Sequence, residues 1–253
     1  MFTPIGFFAP QGPTWTPADA TGIQYWWRAD QGITLGTGND VTQWDDIISG
    51  HSLIVYNNEP QFVSSTTGMN NQPSINFNTT ATNEVLANTT EVAFGGSAFF
   101  FFVIDTTTNG NGGFQIIGGG KGALGAAGWE MVVETNHPSY ANSFTTYTFR
   151  IGPSSGDTTN TGVSVSAPER SWVGLGYEDA VGTSFWRNGS ETVVGTGGND
   201  PTTLAMCIGN YGTGGGLPYY GRVMEWGVLN GYHYWDGTED TDFAAYVNAR
   251  YGI

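Results

Sequence analysis

The sequence predicts an all-β fold, two antiparallel sheets packed as a sandwich, with an extended N-terminal arm and a short C-terminal helix. Three observations carry this. The 253 residues include 39 Gly and 14% aromatic residues but only 11% charged ones; the Lys-, Glu- and Ala-rich material of long helices is missing, while turn and strand formers abound. Short apolar runs recur between Gly, Asn, Ser, Pro and Asp clusters at the spacing a sandwich uses. Helical periodicity is confined to the stretch from Thr238 onward. A sandwich of this length commonly stays one domain, so the expected division is an arm at residues 1–20 and a sandwich at residues 21–253.

The arm comes first. Pro4, Pro10, Pro13 and Pro17 stand among Phe2, Phe7, Phe8 and Trp15, and because each proline fixes φ and removes a donor, the segment reads as extended chain. Its aromatics need cover, from the sandwich itself or from a neighbouring subunit, which makes Phe2, Phe7, Phe8 and Trp15 the candidate assembly residues. Strands are then expected at 24–28, 41–44, 53–56, 74–77, 98–105, 114–117, 129–134, 145–151, 171–177, 183–187, 205–209 and 221–229. The run Ala98-Phe99-Phe100-Phe101-Phe102-Val103-Ile104 is too short to span a bilayer and reads as a buried strand. Asn188-Gly189 is a type I′ hairpin signal, since both central positions of that turn need positive φ. The stretch Gly118-Gly119-Gly120-Lys121-Gly122 lacks phosphate-loop spacing and is expected in a hairpin loop. In the final helix Thr238 is the expected cap, Glu239, Asp240 and Asp242 suit the first turn, and Arg250 suits the last. Phe243, Val247 and either Tyr246 or Tyr251 make its apolar face, and Gly252 ends it.

Seven Lys and Arg against 22 Asp and Glu give a formal net charge of -15, which opposes binding to nucleic acid or insertion at an anionic membrane. One cysteine, Cys207, cannot form an internal disulfide and lies in an apolar run, where a buried structural thiol is expected. The N-terminal stretch has no basic region before its apolar residues and does not read as a signal peptide.

Several motifs, in order, resemble the concanavalin A-like or laminin G-like jelly-roll domains of bacteriophage structural and bacterial surface proteins. They are Tyr25-Trp26-Trp27-Arg28-Ala29-Asp30, Trp44-Asp45-Asp46-Ile47-Ile48-Ser49-Gly50, Asn70-Asn71-Gln72-Pro73-Ser74-Ile75-Asn76-Phe77, Phe185-Trp186-Arg187-Asn188-Gly189, Tyr220-Gly221-Arg222-Val223-Met224-Glu225-Trp226 and the closing Arg250-Tyr251-Gly252-Ile253. The resemblance implies a jelly-roll sandwich and a non-enzymatic virion protein, assembled in the host cytoplasm and exposed on the particle as a decoration, fibre or tail component. Its arm would dock other virion proteins or copies of itself, and a host-surface glycan is a further expected partner. The alternatives are a carbohydrate-binding lectin or adhesin and a divergent glycoside hydrolase.

Sugar recognition needs aromatic faces beside amide or carboxylate groups. Asn136, His137 and Tyr140, with Tyr232, His233 and Trp235, are the candidates on that ground. Some enzymes of the resembled fold carry two glutamates four residues apart with an aspartate between them. Glu130 and Glu134 match that spacing, but Val132 stands at the middle position, so the expected role of the pair is the solvated side of a strand and no catalytic residue is assigned. Asp45-Asp46 and Glu178-Asp179 are calcium candidates by carboxylate density alone; no spaced ligand loop specifies the ion. His51, His137 and His233 have no zinc-like spacing, so no metal or other cofactor is expected.

Overall fold

The computed structural model describes residues 15–77, 84–88, 90, 92–93, 97–106, 115–121, 129–135, 146–153, 161–164, 169–178, 182–195, 203–210, 219–231 and 238–253. Its strands are β1 (Ile23–Arg28), β2 (Ile33–Leu35), β3 (Val41–Asp45), β4 (Ser52–Val55), β5 (Gln61–Val63), β6 (Ser74–Asn76), β7 (Leu86–Ala87), β8 (Val92–Ala93), β9 (Ser97–Asp105), β10 (Gln115–Lys121), β11 (Trp129–Thr135), β12 (Thr146–Pro153), β13 (Thr161–Ser164), β14 (Arg170–Glu178), β15 (Gly182–Arg187), β16 (Ser190–Gly195), β17 (Thr203–Ile208) and β18 (Arg222–Asn230), followed by helix α1 (Glu239–Tyr251). They form an eight-stranded sheet, β16-β15-β14-β9-β18-β6-β5 with β1 also on β18, and a ten-stranded sheet, β13-β12-β11-β10-β17-β7-β4-β3-β2 with β8 also on β17. The expected two-sheet antiparallel sandwich is the observed architecture.

Strand β9 shows how one run of apolar residues serves two cores. Successive side chains of a strand point to opposite faces. Phe100, Phe102 and Ile104 enter the core between the sheets, while Phe99, Phe101 and Val103 enter a second core on the outer face of the eight-stranded sheet. Covered on both sides, the strand has no need of polar alternation. In the inter-sheet core Trp27 stacks on Trp226 with ring centroids 4.3 Å apart, and Phe102 stacks on the other side of Trp226 at 5.5 Å. The second core is closed by α1, whose buried Phe243, Tyr246, Val247 and Tyr251 form the apolar face read from its spacing. Phe101 needs a bare neighbour there. It pairs across β18 with Gly227, where an added Cβ would lie 2.5 Å from the Phe101 ring.

Asn188 and Gly189 have φ of 47° and 81° and join β15 to β16 as the type I′ signal requires. Cys207 is buried and not in a disulfide. Gly252 ends α1 with φ of 73° and donates its N–H to the Asn248 carbonyl.

Two local expectations are corrected. Gly118 to Lys121 are not a loop but the second half of β10, paired with both β11 and β17. The backbone of β17 explains the glycine at 118, because a Cβ there would meet the Cys207 carbonyl oxygen at 2.8 Å. Thr238 sits at the start of α1 in a helical conformation (φ −92°, ψ −54°) and its side chain makes no cap bond; an effective cap residue needs extended backbone to aim its oxygen at the first N–H groups. Within the arm, Pro17–Asp19 is a 3-10 turn closed by Asp19, whose carboxylate accepts from the Thr16 N–H at 2.8 Å and the Thr16 hydroxyl at 3.0 Å. Trp15 packs edge-on against Phe243 and Tyr246 of the chain's own helix. Phe2, Phe7 and Phe8 lie outside the described residues.

Candidate functional site

The outer face of the ten-stranded sheet is built by register. On β17, Met206 and Ile208 face the inter-sheet core, whereas Cys207 clusters with Val85 and Ala87, with Tyr56 packed against them, on the other side. Directly paired residues of an antiparallel ladder share a face. The row Ile54, Ala87, Cys207, Gly119, Val132, Arg150 therefore runs across β4, β7, β17, β10, β11 and β12 on that outer side. Glu130 and Glu134 flank Val132 at alternate positions of β11 and belong to the same face. Their backbone positions are about 13 Å apart at the usual strand rise.

Glu130 is paired with Lys121 and Gly152, and Glu134 with Ile116 and Thr148, while Arg150 sits in the row between them.

At the far end of the row lies a hollow of ≈ 360 Å³ lined by His51, Ser52, Ile54, Asn88 and Thr90. Ile54 is 42% exposed. Four strand spacings, about 19 Å, separate Ile54 from Val132. Amide, hydroxyl and imidazole groups around an exposed aliphatic side chain make a surface suited to a hydroxylated ligand.

The Asp45-Asp46 turn is structural. The buried Asp46 carboxylate accepts from the backbone N–H groups of Ile48 (2.7 Å), Ser49 (2.9 Å) and His51 (2.6 Å) and from the Ser49 hydroxyl (2.6 Å). Asp45 accepts from Gln43 Nε2 and the Ser52 hydroxyl. These donors occupy the lone pairs a cation would use. Among the described residues no group of three His, Cys, Asp or Glu could hold a metal ion.

A second polar assembly backs α1. Glu225 has no exposed surface, and its carboxylate accepts from Trp26 Nε1–H at 2.6 Å, Tyr246 O–H at 2.9 Å and Tyr251 O–H at 2.5 Å. Burial raises its pKa above the ordinary carboxylate value, outweighing the three donors and the nearby Arg250. Burial and the Glu225 charge likewise raise both tyrosines. Beside this cluster Asp30 accepts from Arg28 Nε at 2.6 Å and from Arg250 Nη2 at 2.7 Å. The signal for Glu225 was present in the sequence as a lone carboxylate inside the apolar run Val223-Met224-Glu225-Trp226. The meeting of Arg28 with Arg250 had no local signal, because Asp30 and Arg250 are 220 residues apart.

The sugar candidates Asn136, His137, Tyr140, Tyr232, His233 and Trp235 lie outside the described residues, as does Asp179. Of the assembly residues only Trp15 is described, and its ring is taken up by α1.

No protein-family model matches the chain, and no curated protein matches it in sequence. Among solved structures, the chain is similar to a Trypanosoma rangeli sialidase in complex with sialic acid, with a TM-score of 0.62 at 15% identity, covering 94% of this chain and 36% of that one. It is also similar to an arabinofuranosidase complexed with arabinofuranosyl-alpha-1,2-xylobiose, with a TM-score of 0.60 at 13% identity, covering 84% of this chain and 51% of that one. At these identities the likeness establishes the fold. The chain spans about a third of the sialidase and about half of the arabinofuranosidase. The expectation of a non-enzymatic bacteriophage virion protein is corrected by these findings, since both of these solved structures are glycosidases. The physical reason is that the features behind it are not particular to virions: the motif order reports a sandwich that enzymes share, and Trp15 is used to cover the chain's own helix.

Proposed function

We propose that the chain is a divergent glycoside hydrolase on a sandwich of the concanavalin A-like, laminin G-like type, with Glu130 and Glu134 as its carboxylate pair. The observation that carries this reading is the register of β11, which places both glutamates at alternate positions of one face. Hydrolysis of a glycosidic bond needs one carboxyl that gives a proton to the leaving oxygen and one carboxylate that attacks or activates water. Glu130 and Glu134 are the two carboxyl groups that β11 offers for these roles. The row leading to Ile54 and the His51 hollow gives a track for a chain of sugars. The glycosidase structures that share the fold support the same reading.

The test is turnover of a panel of aryl glycosides and polysaccharides by the wild type and by Glu130→Gln and Glu134→Gln, with folding checked by circular dichroism. Each substitution should lower kcat by about 10²–10⁴-fold. A folded wild type that hydrolyses nothing on the panel, or a variant that keeps the full rate, overturns the assignment. Sugar binding without hydrolysis would reduce the protein to a glycan-recognition module.

A further inference from the structure

We infer that the hollow beside the C-terminal half of α1, on the opposite sheet from Glu130 and Glu134, binds a hydroxylated carboxylate of the acidic-sugar class through Arg28 and Arg250. The hollow measures ≈ 380 Å³ and is lined by Thr16, Arg28, Asn70, Gln72, Tyr246 and Arg250, with Ala249. The site is distinct from the proposed hydrolytic face and does not depend on it.

The first argument is charge. The chain has 7 Lys and Arg against 22 Asp and Glu, yet two of those seven cations line this one hollow. Both are tied to a single carboxylate, Asp30, and Arg250 also lies near the buried Glu225. An ion pair that served only to staple α1 to β1 would need one arginine. Two guanidinium groups drawn to one carboxylate repel each other, and a further anion between them relieves that repulsion.

The second argument is spare bonding capacity. Arg28 donates its Nε–H to Asp30, and Arg250 donates from Nε to the Tyr251 hydroxyl at 3.2 Å and from Nη2 to Asp30. A guanidinium carries five N–H donors. Among the described residues the Nη groups of Arg28 and Nη1 of Arg250 donate to no protein acceptor, and these are the groups that form a two-pronged contact with a carboxylate.

The third argument is rigidity. The Arg28 guanidinium lies over the Trp26 ring at 5.0 Å and that of Arg250 over the Tyr251 ring at 5.5 Å. Trp26 and Tyr251 are themselves held by the buried Glu225. The arginines are therefore ordered before a ligand arrives, which removes much of the side-chain entropy cost of binding. The remaining lining decides what else the ligand carries. The amides of Asn70 and Gln72 and the Thr16 hydroxyl are neutral donors and acceptors matched to sugar hydroxyls, and the hollow is of the size that small-molecule sites show.

Titration calorimetry with glucuronate tests the site, with glucose, acetate and sulfate as comparison ligands and Arg28→Lys and Gln72→Glu as variants of the full chain. Arg28→Lys keeps the charge and loses the fork; Gln72→Glu sets a like charge beside the ligand and leaves both arginines in place. Glucuronate should bind saturably and at least about tenfold more tightly than glucose or acetate, and each variant should weaken it by about tenfold or more. Absence of glucuronate binding overturns the inference. So does equal affinity for sulfate, which would make this a general anion site, or an unchanged affinity in Gln72→Glu with an unchanged melting temperature.

Discussion

Three donors meet the buried carboxylate of Glu225, and that arrangement has a definite pH signature. Its pKa is raised in the folded protein, chiefly by burial. The folded state therefore keeps a proton that the unfolded chain releases near its ordinary value of 4.5, and the stability linked to this proton is complete below that pH and is lost as pH rises through the folded value. The melting temperature of the wild type should fall relative to that of Glu225→Gln as pH rises above 4.5; a gap that stays constant at all pH values would overturn the raised pKa. Tyr246 and Tyr251, raised by burial and by Glu225, stay protonated in the folded state above their ordinary value of 10.0 while an unfolded chain would ionise them. Their stabilising contribution is present below pH 10 and is lost above it, so their tyrosinate absorbance at high pH should appear together with unfolding and not before it. Tyr246→Phe removes one donor from a buried carboxylate, and a chemical-denaturation curve should register a loss of about 1–3 kcal/mol.

Helix α1 is the element whose removal tests the second core. Phe243 is fully buried and meets the rings of Phe101 and Trp172 edge-on, both at 4.9 Å. Phe243→Ala should cost about 3–5 kcal/mol in the same kind of denaturation experiment. Trp15→Ala, which uncovers the outer side of the helix, should cost less, because Trp15 is only partly buried. The helix face was legible from the spacing of Phe243 and Val247, and the β15–β16 turn from Asn188-Gly189, because both are local patterns. The Thr238 cap was not, since a side chain caps only when its own backbone is extended, and that angle is not written in the residue type. Strands β2, β5, β7 and β8 escaped for a related reason: runs of two or three residues carry too little alternation to be read, and their partners across the ladder define them.

At the scale of the whole molecule, the sandwich was legible and the neighbourhoods of its polar groups were not. Glu130 and Glu134 share a face by simple alternation, but Lys121 and Arg150 join them only through the register of three strands. Arg28 and Arg250 come from opposite ends of the sequence. The same long reach shapes how the protein is made. The described partner of β1, near the start of the chain, is β18, near its end, and β9 lies between β14 and β18. A ribosome must therefore deliver the chain through β18 before β1 can find its place, and throughout that wait the uncharged stretch from Ala98 to Ile104 has no finished sheet to enter. Such chains fold slowly, on a scale of roughly milliseconds to seconds, and their sticky middle is the segment a holding chaperone would be expected to grip.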